Sequence, residues 1–141
     1  MALDEDAKRF LDQNHQAIMV TVRPNGTAHV ARVTCGVVDG KLWSSGNVSR
    51  VRTKHLRANP NATLCVFAGR DRRWIGIEAA VTIHEGPDAP QKALQLQRAS
   101  GREPEDVDAF LKNMADQQRI IYEFEPKRVY GSYEPGAENR A

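Results

Sequence analysis

Apolar residues recur along this chain in two rhythms. Between Asp4 and Asn14 they fall three to four apart, at Ala7, Phe10 and Leu11, which predicts a short amphipathic helix. The rhythm then shortens to two. Ala17 to Arg23 is a run rich in β-branched residues, closed by the hairpin signal Pro24-Asn25-Gly26. Thr27 to Val38, Lys41 to Ser45, Thr63 to Ala68, Arg72 to His84 and Arg119 to Glu125 read as five further strands. In the longest of them Ile75, Ile77, Ala79, Val81 and Ile83 alternate onto one face. Three helices fill the gaps: Ser49 to Ala58, Ala89 to Ala99 and Pro104 to Asp116.

Six strands joined mainly by tight turns predict a mainly β fold with peripheral helices. Its antiparallel sheet should turn back on itself and close into a barrel. Regular strand–helix–strand alternation is missing, which argues against a doubly wound nucleotide fold. The expected domain spans residues 1–133. Residues 134–141 contain proline, glycine and charge and no obvious apolar anchor, so a loose tail is expected there.

Composition adds bounds. A chain of 141 residues, 40% hydrophobic and 27% charged, has room for one core. The formal net charge of +2 is too small to argue for nucleic acid, and no apolar run approaches a membrane span. The acidic start Met1-Ala2-Leu3-Asp4-Glu5-Asp6 does not read as a signal peptide. A cytoplasmic protein is expected, with Cys35 and Cys65 as two buried free thiols.

The candidate chemistry lies in Ser44 to Pro60. A helix here begins after small polar residues, and Arg50 and Arg52 sit at its start with Lys54 just behind. A helix N-terminus carries partial positive charge, so a cation there forgoes roughly 0.3–1 kcal/mol that an acid would have gained. Exposed N–H groups beside two guanidinium groups form a pocket for an anion, phosphate being the natural candidate. Ser44, Ser45 and Ser49 precede the helix; capping it and holding a phosphate use the same geometry. Elsewhere there is no G-x-G-x-x-G, no Walker A loop and no G-x-S-x-G elbow. Neither the cysteines nor His15, His29, His55 and His84 show metal-ligand spacing. An anion pocket without a catalytic constellation points to a cofactor that brings its own chemistry.

The ordered set of motifs resembles a known family. Thr21 to Val30 reads T-V-R-P-N-G-T-A-H-V, and the stretch from Gly46 to Pro60 contains G-x-x-S-R and K-x-L-R-x-N-P elements. Trp74 to Ala80 follows, and the chain closes with Glu125-Pro126-Lys127-Arg128-Val129-Tyr130-Gly131. Together they are similar to the split β-barrel flavin and deazaflavin oxidoreductases related to pyridoxamine phosphate oxidase. The resemblance implies a homodimer with a cofactor in the groove between subunits. It assigns Ser45, Ser49, Arg50 and Arg52 to the cofactor phosphate, and Lys54 to a charged tail. The second strand, at Ala31, Arg32 and Val33, would run beside the ring, and Trp74 would reach it from the partner. The length and the Val129-Tyr130-Gly131 ending favour the deazaflavin F-420 over FMN, with hydride transfer to a small organic acceptor. FMN oxidation of the pyridoxamine phosphate type, and non-catalytic flavin or haem binding, are the alternatives.

Overall fold

A computed structural model describes residues 3–139. The barrel expected from the alternation is present. Six antiparallel strands close in the order β1-β2-β3-β6-β5-β4. They are β1 (Gln16–Val22), β2 (Ala28–Val38), β3 (Lys41–Asn47), β4 (Asn61–Phe67), β5 (Trp74–His84) and β6 (Arg119–Ser132). Closure comes from β1, which pairs with β2 on one side and β4 on the other, Met19 lying opposite Ala31 and Leu64. Each strand alternates because one face must leave water. Met19, Leu64, Ile75, Ile77 and Phe124 fill the interior.

The helices are placed by their apolar faces. In α1 (Glu5–Gln13), Asp4 caps the start by accepting from Ala7 N–H, and Ala7, Phe10 and Leu11 enter the core. In α2 (Val51–Ala58) only Thr53 and Leu56 are buried. Burying Leu56 stabilises the packing by roughly 1.5–3 kcal/mol. In α3 (Ala89–Ala99), Ala93 and Leu96 pack outside the barrel on Val38, Trp43 and Ile121. Gly36 permits that approach, since a Cβ there would lie 3.3 Å from Leu96 Cδ1. None of α4 (Val107–Asp116) is fully buried, and its Phe110 and Met114 rest against this outer cluster.

Several boundaries differ from those expected. The second helix begins at Val51 rather than Ser49, with Arg50 as its N-cap residue and no side chain capping it. The fourth begins at Val107 rather than Pro104, because the Asp106 carboxylate accepts from Ala109 N–H and so marks the turn. The last strand continues past Glu125 to Ser132. Pro126 is accommodated where the β5 register shifts between Glu78 and Ala79, a bulge that spares a ladder hydrogen bond. Cys35 is buried, and burial pushes its thiol up to about 12. Cys65 is only partly covered, because it faces outward between Leu64 and Val66. The segment after Tyr133 has the anchor that its sequence hid: Ala137 is fully buried, and Arg72 N–H donates to Glu138 O. Arg140 and Ala141 lie outside the described residues.

Candidate functional site

The end of β3 and the start of α2 are joined by a short turn. Asn47 shapes it, its Oδ1 accepting from both the N–H and the hydroxyl of Ser49. Thr53 then locks the helix onto the barrel. Its hydroxyl donates to Asn47 O at 2.8 Å and also meets the Tyr122 hydroxyl in a short hydrogen bond. Tyr122 is fully buried, and its ring lies across Gly46, where a Cβ would come within 2.2 Å of the phenol oxygen. Position 46 therefore has to be glycine for the tyrosine to reach Thr53.

This scaffold aims Arg52 outward. Its Nη2 donates to Ser45 O at 3.3 Å, and its guanidinium lies 5.8 Å from the centre of the Tyr122 ring. Its Nε is buried with no acceptor among the described residues. An orphaned buried donor on a cation is costly unless an external oxygen meets it. Beside it runs a cavity of about 290 Å³, whose lining includes Arg32, Val33, Ser45, Arg52, Arg102 and Arg119. Ala93, Leu96, Phe110 and Met114 add apolar lining, with Gln97 and Ser100 between them.

Two of those arginines escape a motif-based reading. Arg119 opens β6, opposite Asn47 in the β3 ladder. The chain reaches it through Gln118, whose φ of 52° reverses direction after α4. Arg119 Nε donates to Gln117 Oε1 at 2.9 Å. Burial, then the charges of Arg50 and Arg52, push its guanidinium below the ordinary arginine range. Arg102 is delivered by the end of α3. Gly101, at φ 85°, donates to Arg98 O, and Arg102 N–H donates to Gln97 O, the paired bonds of a Schellman cap. The helix-ending Gly101 was the one local signal for Arg102. Nothing local marked Arg119, since it depends on how β6 registers against β3.

Among the described residues no carboxylate pairs with Arg32, Arg50, Arg52, Arg102 or Arg119; Arg32 bonds only neutral Gln16, at 2.7 Å. These are guanidinium donors without counter-charges, a donor set that fits the oxygens of phosphate or carboxylate.

Of the ten candidate residues, the structure brings Arg32, Val33, Ser45 and Arg52 to one cavity. Arg50 and Ser49 are exposed at the same turn. Ser44 is buried, its hydroxyl donating to Thr34 O at 2.7 Å, so it fastens β3 to β2 and presents no group to the cavity. Ala31 and Lys54 do not line the cavity. Trp74 stands apart from it, edge-on to Tyr130 at 6.0 Å on the outer barrel surface. Behind Arg52, His29 and His55 stand 5.2 Å apart, and His55 Nδ1 is hydrogen-bonded to the Thr21 hydroxyl at 2.9 Å. Burial, then His55, Arg23 and Arg52, hold His29 below its ordinary pKa.

No group of three or more histidine, cysteine or acidic side chains forms a metal-binding cluster among the described residues. No helix among them is long and apolar enough to cross a membrane.

The fold is thus a closed six-stranded antiparallel barrel with an arginine-lined cavity beside β2 and α2. Residues 3–133 match the model of the pyridoxamine 5'-phosphate oxidase family, and the chain belongs to that family. Solved structures show the same fold. A conserved hypothetical protein from Mycobacterium tuberculosis superposes with a TM-score of 0.81 at 17% identity, over 97% of this chain and 88% of that one. An F420 reductase matches with a TM-score of 0.72 at 19% identity, over 91% and 98%. An FMN-binding protein from Nostoc punctiforme, described as related to pyridoxamine 5'-phosphate oxidase, gives 0.64 at 14%, over 92% and 84%. No curated protein matches the sequence.

Proposed function

We propose that this protein is an F-420-dependent oxidoreductase acting on a small organic acceptor. One observation carries the reading: four arginines line a single cavity, and no carboxylate pairs with them among the described residues. That is more positive charge than one phosphate needs, and it suits a phosphodiester followed by a carboxylate-bearing tail. When bound, reduced F-420 supplies the hydride. The chain's own residues bind, orient and exclude water. Ser45, Ser49, Arg50 and Arg52 hold the phosphate, with Lys54 available to the tail. Ala31, Arg32 and Val33 run beside the ring, and the apolar lining of Leu96, Phe110 and Met114 keeps bulk water from the acceptor.

The reading includes a homodimer that completes the groove. Trp74 and Tyr130 are large aromatic side chains in contact with each other and partly exposed on the barrel, and a second copy covering them would bring its Trp74 to the ring. Sedimentation equilibrium tests this, and a monomer at micromolar concentration would remove the partner from the site.

FMN is the second reading, and a specific observation favours it: Ser45, Arg52 and Arg119 line the same cavity, a donor set that suits a single phosphomonoester. Titration of the purified protein with F-420 and with FMN, followed by fluorescence, separates the two. Tight FMN binding without measurable F-420 affinity would end the first reading.

A further inference from the structure

Arg50, Arg52 and Arg119 come from three places: the cap of α2, its first turn and the start of β6. Arg52 and Arg119 line one cavity, where like charges repel, and among the described residues no acidic side chain pairs with either of them or with Arg50. Arg119 could avoid the cluster by turning to water. Instead it lines the cavity, with its Nε tied to Gln117 Oε1. Arg52 is likewise held, by Ser45 O, with its own Nε left without an acceptor. The cluster is a preorganised set of donors whose repulsion a bound anion would offset.

The number of charges then becomes the selective property. Two guanidinium groups balance a singly charged phosphodiester with one positive charge to spare. A third raises the surplus against a monoanion and matches a ligand carrying at least two negative charges within reach. We propose that Arg119 is a specificity-determining third arm of the anion clamp, which makes the site select two negative charges over one. The second charge sits on the same phosphorus in a phosphomonoester such as FMN. In F-420 it is a carboxylate beyond the phosphodiester. The inference rests on the reading of the α2 start as the cofactor-phosphate site.

The test uses matched ligand pairs with the full-length protein. One pair is FMN and its phosphate monomethyl ester; the other is F-420 and F-420 with its carboxylates methylated. Dissociation constants are measured by fluorescence for the parent, Arg119→Gln and Arg119→Lys, with thermal melting to confirm that each variant is folded. The parent should prefer the more highly charged member of the pair it binds by about tenfold, equivalent to about 1.4 kcal/mol. Arg119→Gln should lose most of that preference, and Arg119→Lys should keep most of it. Equal weakening for both members in Arg119→Gln would overturn the inference while leaving the phosphate site intact. Unchanged binding in Arg50→Ala and Arg52→Ala would overturn the phosphate site and the inference with it. The pair that binds identifies the source of the second charge.

Discussion

The two ends of α2 carry the same residue type in opposite circumstances. At its C-terminal end Arg57 makes a bidentate ion pair with Glu85, at 2.9 and 3.1 Å. The helix dipole favours a cation there, and the pair holds the Glu85 carboxyl below its ordinary range. At the N-terminal end the dipole disfavours Arg50 and Arg52, and no carboxylate answers them among the described residues. Arg57 is accounted for by the fold alone. The N-terminal arginines are not, and Arg52, whose Nε has no acceptor among the described residues, lines a cavity. Charge by itself does not distinguish the arginines of this helix; the presence or absence of a partner among the described residues does.

The largest expected effect breaks the scaffold beneath the N-terminal end. Gly46→Ala would drive a Cβ into the Tyr122 hydroxyl and lose the Tyr122–Thr53 bond. Overpacking of this kind should cost about 3 kcal/mol, read as a drop of about 10 °C in thermal melting. Retention of the parent melting temperature would show that Tyr122 does not hold the helix start.

Next, Arg52→Ala should weaken cofactor binding about tenfold or more, since hydrogen bonds to charged groups contribute roughly 1.5–3 kcal/mol. The unliganded variant should melt no lower than the parent, because the substitution also removes repulsion and an orphaned donor. Calorimetric titration and melting together decide this. Equal losses of affinity and stability would make Arg52 a structural residue after all.

Arg57→Ala gives the complementary result. Both side chains of its ion pair are nearly half exposed, so solvent screening limits the stability loss to about 0.2–1 kcal/mol. Cofactor affinity should not change. A tenfold loss of affinity would extend the binding surface along the whole helix and erase the contrast between its ends.

The smallest effect concerns pH. His29 has a native pKa held below its ordinary value, so the unfolded chain takes up its proton first as pH falls. Its contribution to stability is full above about pH 6.5 and fades as pH drops from there toward the native pKa. Urea midpoints measured from pH 7.5 to 5 should therefore fall less steeply in His29→Gln than in the parent. Parallel slopes would show that the histidine pair behind Arg52 is not proton-linked to folding.

Much of this molecule follows from local physics. Alternation marked all six strands because one face of each must leave water, and the third helix appears at Ala89–Ala99 as expected. Less local features were not legible. The strand through Pro126 depends on a bulge in β5 pairing, and the burial of Ala137 depends on a surface built by other elements. Ser44 and Ser45 are neighbours of one residue type, yet pleating sends the first to Thr34 O and the second to the cavity. Only the phase of β3 in the barrel decides which is which.

The sequence by itself determined a mainly β chain and a basic helix start that the helix dipole alone would not place there. It did so because periodicity and end effects act over a few residues. The tertiary structure decided which arginines share a site. Arg119 stands opposite Asn47 because β3 and β6 pair, and Arg102 reaches the same cavity because α3 packs on β2 across Gly36. Both distances in sequence are bridged by long-range packing, whose register no local pattern encodes.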